Sequence, residues 1–392
     1  MRDGRSTVLV YRDRLFFASE RFILNQGEAL AAHSPHYVGV RAEPAVAPPA
    51  DRTTLLRQGS RADLAREVAF KLFGRVPASF ARLGALAPVV LHAHFGPDGV
   101  RAIPIARRLG IPLITTFHGF DATVSDDGLR AAAALSMRRY PANRRALAAF
   151  GSRFVAVSRF IADKIVNQGF PADRVVVHYI GVDVARFSPS VAIQRESLIL
   201  FVGRLTPKKG VDDFLLAVAA VQSRQPAINA VIVGDGPDRA RLEARAASLR
   251  VRVTFAGFQD PTTVLAWLRR SMVLCAPSKT APNGDAEGFG LVFAEAQAAG
   301  LPVVSYASGG VVEAVAHGET GYLVPEGDWL ALAQSIERLI GDGSLWKRFS
   351  EAGIARVRRL FDISSQSRAL DDIYADVASR WAHGERNVQR GR

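Results

Sequence analysis

Glu287 and Glu295 stand eight residues apart in Glu287-Gly-Phe-Gly-Leu-Val-Phe-Ala-Glu295, the segment of this chain best suited to chemistry. The Gly-Phe-Gly turn should lead into an apolar helix. A helix N-terminus carries free backbone N–H groups and the positive end of a dipole, which suits a phosphate. Glu287 lies just before that terminus and Glu295 about two turns in. Carboxylates accept hydrogen bonds from hydroxyls, so a ligand meeting both would carry hydroxyls on each side of its phosphates. A nucleotide-sugar has that form, sugar at one end and ribose at the other. Spacing alone also fits a solvated Glu before a helix and a second Glu facing water.

Further candidates end strand-like runs. Phe201-Val-Gly-Arg-Leu-Thr-Pro-Lys-Lys-Gly210 brings Gly203, where a backbone can approach a ligand, together with the cations Arg204 and Lys209. A diphosphate leaving group needs such cations, because its charge develops as the sugar bond breaks. Val233-Gly-Asp-Gly-Pro237 offers a Gly-x-Gly turn at Gly234, with Pro237 opening the next helix. It lacks the third glycine of a dinucleotide fingerprint and reads equally as a structural turn or as close packing near a base or ribose. Phe117-His-Gly-Phe-Asp121 sets His118 at a strand end, where a neutral imidazole can hydrogen-bond a sugar hydroxyl. His92 and His94 end the preceding strand and point the same way. No Cys or acidic partner stands nearby at zinc-ligand spacing, which favours lining a cleft over holding a metal. In Ser19-Glu-Arg-Phe, Ser19 reads as a helix N-cap; Glu20 and Arg21 could touch an acceptor, but the run reads better as a plain helix start.

The elements that must position these residues alternate between strand and helix in two series. Strand candidates fall near 6–11, 36–41, 89–95, 113–118, 154–158 and 175–180, and then near 198–204, 229–234, 253–257, 272–277 and 302–306. Short apolar strands alternating with helices argue for parallel sheets covered on both faces, so the chain is expected to form two doubly wound α/β domains. The seam is placed near Asp183 to Glu196, where Phe-Ser-Pro-Ser breaks the pattern, and the chain from 328 onward reads as helical. In such sheets ligands bind beyond the carboxyl ends of the strands, and with two domains the cleft between them is the default site.

The length of 392 residues fits two or three domains, and 48% hydrophobic residues suffices for real cores. No apolar run approaches the ~20 residues of a membrane span. The single cysteine, Cys275, cannot form an intrachain disulfide, and the N-terminal residues show no signal-peptide pattern; both suit the cytoplasm. The net charge of +13 is uneven: residues 1–190 hold 26 basic against 15 acidic residues, and 191–392 hold 24 against 22. Such a field favours an anionic partner. Basic amphipathic stretches at 59–86 and 129–153 could lie on anionic lipid or be ordinary domain helices. Nucleic acid is disfavoured, because the basic runs lack aromatic platforms.

Together these motifs resemble the retaining glycosyltransferases of family 4. The resemblance is strongest over 198–327, where Val202-Gly-Arg204, Lys209-Gly210, Glu287-x7-Glu295, Gly309-Gly310 and Gly321-Tyr-Leu-Val324 follow in family order, and Gly181-Val-Asp183 with Phe187 looks like a hinge-proximal segment. The histidine runs and Asn283-Gly-Asp-Ala-Glu287 look most like the colanic acid and amylovoran exopolysaccharide branch. The resemblance implies GT-B architecture: two Rossmann-like domains facing across a cleft, 1–187 on the acceptor side and 188–363 on the donor side, with a last helix at about 364–392 folding back onto the first. It implies a metal-independent, retaining hexosyltransferase using a UDP- or GDP-hexose and a lipid-linked saccharide at an anionic membrane surface, on the cytoplasmic face of the inner membrane. His118 and Glu287 become the catalytic candidates. Gly203, Arg204, Lys209, Gly234, Phe258, Ser278, Phe289, Gly290, Leu291 and Glu295 become donor-binding candidates, and Glu20, His94 and Asp121 lie on the acceptor side. One departure stands out: where many members carry a paired-glycine loop after the first strand, this chain reads Tyr11-Arg-Asp-Arg-Leu-Phe-Phe17. A sugar-nucleotide 2-epimerase on the same fold and a non-catalytic nucleotide-sugar binder stay open as alternatives.

Overall fold

A computed structural model describes residues 4–57, 59–190 and 193–385. The chain divides into two compact units. One runs to Gly181 and takes the chain back at Ile363; the other is Val182–Asp362. Residues 182–187, expected in the first domain, thus belong to the second unit.

The described residues of the first unit form strands β1 (Ser6–Tyr11), β2 (Arg14–Leu15), β3 (His33–Gly39), β4 (Arg41–Ala42), β5 (Thr53–Leu55), β6 (Val90–His94), β7 (Leu113–Phe117), β8 (Arg153–Ala156) and β9 (Val175–Val177). Seven of them build one sheet in the order β5-β3-β1-β6-β7-β8-β9, every pairing parallel, and β2 pairs with β4. Helices α1 (Arg21–Glu28), α2 (Arg61–Phe73), α3 (Ala78–Ala81), α4 (Gly96–Leu109), α5 (Phe120–Thr123), α6 (Asp126–Arg130), α7 (Leu135–Phe150) and α8 (Arg159–Asn167) join them. Strands β6 and β7 are buried along their whole length, which only a sheet covered on both faces allows. Local chemistry sets the ends of α2: Ser60 and Asp63 form a capping box, and Gly74 ends the helix with φ +65°.

The second unit has β10 (Leu198–Val202), β11 (Asn229–Val233), β12 (Val253–Gly257), β13 (Val273–Cys275), β14 (Val303–Tyr306) and β15 (Gly321–Val324), all parallel in the order β12-β11-β10-β13-β14-β15. Its helices are α9 (Val211–Arg224), α10 (Arg239–Ser248), α11 (Pro261–Arg270), α12 (Leu291–Ala298), α13 (Val311–Ala314), α14 (Trp329–Gly341) and α15 (Gly343–Leu360). In both sheets the strand order reverses beside the first strand, so each unit is a doubly wound, Rossmann-like fold.

Helix α16 (Ile363–Arg380) returns to the first unit. Leu370, Tyr374 and Val377 pack with Val8, Val90, Ile114 and Val155. Asp371 accepts from the Ala31 and Ala32 amides at 2.8 and 2.9 Å and pairs with His33 Nδ1 at 2.8 Å. The part of the expected tail helix beyond residue 385 lies outside the described residues.

Several expectations are corrected. Strands β5 and β15, one at an edge of each sheet, are absent from the two predicted series. Ser19 sits inside a short 3₁₀ turn, Ala18–Glu20, and Glu20 rather than Ser19 is the N-cap of α1. Helix α10 starts at Arg239, not at Pro237, because Asp238 occupies its N-cap.

Candidate active site

In the second unit the candidate residues gather at the carboxyl ends of parallel strands. Gly203 follows β10 and donates its N–H to the Val233 carbonyl at 3.0 Å; Gly234 follows β11 and donates to the Gly257 carbonyl at 2.8 Å. Gly234 has φ +136°, and any Cβ there would strike the Gly203 carbonyl oxygen, so neighbouring strand ends touch backbone to backbone. Phe258 follows β12 and is 66% exposed, an aromatic face open to a ligand. The turn Pro207–Lys209 ends at Gly210, whose φ of +65° and contact with the Pro277 carbonyl exclude a side chain. That turn sets Lys209 beside the loop following β13.

There Lys209 Nζ donates to Glu287 Oε2 in a short ion pair, and the buried Ser278 Oγ lies 3.4 Å from the same oxygen. The Glu287 carbonyl accepts the Gly310 N–H at 2.8 Å, so the turn before α13 fixes its backbone. Burial by itself would raise the Glu287 carboxyl; the charges of Lys209 and Lys208, with hydrogen bonds from Lys209 and Ser278, outweigh it and hold the group at about 2. Glu287 is therefore a permanent carboxylate. Gly290, at φ +80°, is the N-cap of α12 and, as a glycine, offers its amides no side-chain cap. Leu291 begins that helix, and Phe289 is buried with its ring against Phe361 at 5.1 Å. Glu295, on the same helix, is pushed up to about 7 by burial, which the Arg186 charge only partly offsets. Arg204 is exposed, and no ion-pair partner is present among the described residues. The arrangement offers cations and a helix N-terminus to a diphosphate and two carboxylates of unlike basicity to hydroxyls.

In the first unit, His94 Nδ1 and His118 Nε2 share a hydrogen bond of 3.0 Å. Burial, then neighbouring positive charge, drives both imidazoles well below their usual range, so both are neutral near pH 7. His118 Nδ1 is buried and has no partner among the described residues. His92 is consumed internally, by Tyr374 Oη and Thr116 Oγ1 at 2.6 Å each, and burial lowers it to about 3. Among the described residues no cluster of His, Cys, Asp or Glu could hold a metal ion.

Two acceptor-side candidates are already engaged by their own chain. Asp121 is 1% exposed and accepts the N–H groups of Gly96, His118 and Gly119 at 2.9, 3.1 and 3.0 Å. Glu20 is 7% exposed and accepts from Arg12 through both oxygens, at 3.2 and 2.7 Å. Both are enclosed and bonded within their own unit, so Glu20 does not make the direct acceptor contact that its position after the first strand allowed. Arg12 also donates to Asp98 at 2.5 Å and lies over the Phe95 ring at 4.3 Å, and Phe95 touches His118. The site candidates of this unit therefore form one connected cluster.

Sequence reasoning missed two ion pairs beside Glu287: Lys208 with Asp285 at 3.0 Å and Lys279 with Asp213 at 2.8 Å. It also gave Arg12 no role. Asp285 stood in the quoted run before Glu287, which was the available signal; Asp213 and Lys279 gave none.

Two family models cover most of the chain: "Glycosyltransferase Family 4" matches residues 19–186 and "Glycosyl transferases group 1" matches 185–356. The glycogen synthase of Mycobacterium tuberculosis (strain ATCC 25618 / H37Rv) is 31% identical over 307 residues, 77% of this chain and 71% of that protein. The chain belongs to this glycosyltransferase family, on the GT-B fold. WcaL of Escherichia coli (strain K12), named for colanic acid biosynthesis, is 34% identical over 254 residues, and the amylovoran biosynthesis glycosyltransferase AmsK of Erwinia amylovora is 31% identical over 253. In both cases the match spans 63% of this chain and 60% of the relative's length. Among solved structures, Anabaena Alr3699/HepE in complex with UDP and glucose superposes with TM-score 0.73 at 20% identity, over 95% of this chain and 100% of that one. Sucrose-phosphate synthase of Thermosynechococcus elongatus gives 0.75 at 20% identity, over 96% and 100%. These two establish the fold alone.

Proposed function

We propose that this protein is a retaining glycosyltransferase that moves a hexose from a UDP- or GDP-sugar to a lipid-linked saccharide in bacterial cell-surface polysaccharide synthesis, without a metal, at the cytoplasmic face of the inner membrane. The observation that carries the reading is the Lys209–Glu287 pair, held with Ser278 near the N-terminus of α12. The names of WcaL and AmsK support the polysaccharide class, and the UDP and glucose bound to the Anabaena protein support the donor class. Among the described residues no helix is long and apolar enough to cross a membrane, so association would be peripheral.

In this mechanism the bond between the sugar C1 and the β-phosphate oxygen breaks, and the diphosphate keeps the electron pair. Lys209, Arg204 and the first amides of α12 stabilise that growing charge. The acceptor hydroxyl bonds to C1 on the face the diphosphate leaves, and its proton passes to the departing phosphate oxygen. Glu287, ionised throughout, takes no part in proton transfer; it accepts hydrogen bonds from donor-sugar hydroxyls. Glu295 takes the ribose, and Phe258 offers its face to the base. Whichever tautomer the His94–His118 bond selects, His118 Nδ1 can pair with a sugar hydroxyl, which both donates and accepts. Asp121 acts indirectly, by fixing the loop that carries His118.

The test is transfer from UDP- and GDP-hexoses by Lys209→Ala and Glu287→Gln. Each should lower kcat/KM about 100-fold or more, the usual loss of one preorganised charge-stabilising group. Unchanged turnover rejects the site, and an acceptor-free epimerised sugar nucleotide would assign the epimerase chemistry instead.

A further inference from the structure

Helix α2 turns its carboxylates inward and its leucines outward. Asp63 and Glu67 are 3 and 5% exposed, beside the buried Phe70. Asp63 accepts the Ser60 N–H at 3.0 Å and pairs with Arg66 at 3.1 Å; Glu67 pairs with Arg41 at 3.0 Å and Lys71 at 2.8 Å. Leu64, Val68, Leu72 and Phe73, by contrast, are 55, 44, 41 and 72% exposed. Leu64, Val68 and Leu72 recur at every fourth position, which lays them along one side of the helix. A helix on a water-facing surface normally shows the reverse, with its charges out and its apolar stripe on the core.

The stripe is framed by arginines that no carboxylate answers. Arg61 and Arg75 line one shallow groove with Leu64, Val68 and Phe73, and no acidic residue lines it. Both arginines are exposed and without an ion pair among the described residues. Leu72 also lines a neighbouring cavity of about 690 Å³, walled in part by Arg12 and Asp13, and so do Leu135 and Arg139 at the start of α7. Leu135 is 47% exposed, and Arg139 is exposed with no ion pair among the described residues. Apolar and basic exposure therefore continues from α2 to α7. The unit that carries both helices holds 30 basic against 18 acidic residues.

An exposed apolar stripe of this kind marks a surface that something covers. A second copy meeting it through the same patch would set Arg61 and Arg75 against their own counterparts, with no carboxylate in the groove to separate them. A bilayer of acidic phospholipid answers both features at once. Its phosphates pair with the arginines, and the stripe enters the boundary between headgroups and acyl chains. We propose that the outward face of α2, continued by the start of α7, is the surface that docks this chain on an anionic membrane. This rests on the peripheral membrane location proposed above and names the residues that produce it.

Sedimentation of the full chain with sucrose-loaded vesicles, without substrates, tests this. Pure dioleoylphosphatidylglycerol should bind about tenfold or more tightly than pure dioleoylphosphatidylcholine, because each unpaired arginine gains energy only at the anionic surface. Leu64→Ser with Phe73→Ser should weaken binding to phosphatidylglycerol about tenfold or more, through lost apolar burial. Arg61→Glu with Arg75→Glu should do the same by turning attraction into repulsion. Two matched pairs in the second unit should each leave binding within about twofold: Val312→Ser with Leu330→Ser, and Arg358→Glu with Arg359→Glu, all exposed positions. Equal losses from the pairs of the two units would assign binding to the general field and overturn the surface. Binding no tighter to phosphatidylglycerol than to phosphatidylcholine would overturn it too. So would full vesicle binding by Leu64→Ser with Phe73→Ser, which would leave the stripe to a soluble partner. A dimer of the parent chain in light scattering, dissociated by that same variant, would give the stripe to a second copy and equally overturn the proposal. UDP should raise the melting temperature of every variant, which shows each one folded and reads the donor site apart from docking. Failure of UDP to stabilise the parent chain would reject the donor site, while the vesicle measurements would still decide this surface.

Discussion

Glu287 and Glu295 are the same residue type on one short segment, yet their surroundings drive them apart. Two lysines and a serine hold the first ionised; the second, half-buried, has a single opposing arginine. An ionised carboxylate is the better acceptor for ribose hydroxyls, so UDP affinity should rise as pH passes through about 7. Titration of Kd between pH 6 and 8 checks this, with Glu295→Gln as the control that removes the step and leaves only the nucleotide's own ionisation. Stability runs the other way. A folded pKa raised from 4.5 to about 7 means that Glu295 is favourable below 4.5 and that this is lost as pH rises through about 7. Glu295→Gln should therefore raise Tm at pH 8 and leave it unchanged at about pH 3.5, below the unfolded value of 4.5. Glu287 has the opposite sign: its folded value is depressed from 4.5 to about 2, so its contribution is present above 4.5 and fades as pH falls toward 2.

At the scale of elements, the site depends on glycines that let one strand-end loop press on another. Gly310 lies where a Cβ would meet the Gly288 carbonyl oxygen, and its N–H holds the Glu287 carbonyl. Gly310→Ala should lower stability by about 1–3 kcal/mol, the usual range for overpacking, and weaken UDP binding by shifting Glu287. Gly341→Ala, where nothing lies within 4 Å, should be neutral or slightly stabilising. Thermal melts of both variants, with and without UDP, separate the two cases. These glycines were readable as motifs because loop sequences are local. The ion pairs beside them were not: Lys279 finds Asp213 across 66 residues, and Arg12 finds Asp98 across 86. Strands β5 and β15 did not stand out in the sequence; each lies at a sheet edge and is formed by pairing with a single neighbour, β3 or β14.

At the scale of the whole chain, the first unit is completed by residues from the far end of the sequence. Asp371 satisfies the Ala31 and Ala32 amides and His33, about 340 residues away. Asp371→Ala should orphan those amides and cost the first unit about 2–4 kcal/mol, while the exposed Asp372→Ala should cost nothing measurable. Denaturant unfolding should show the loss in one transition only, since the second unit, Val182–Asp362, contains neither partner. Saturating UDP should raise the other transition, because a ligand stabilises the unit it binds.

The sequence by itself determined two alternating α/β series, the strand-end positions of Lys209 and His118, and the place of Glu287 just before a helix start. All of these follow from short-range periodicity and turn residues. Only the tertiary structure decided that Glu20 and Asp121 are used up inside the fold, that Glu287 and Glu295 differ in basicity, and that Arg12 and Asp13 wall a cavity. Burial and long-range charge set those outcomes, and both depend on which distant segments the fold brings together.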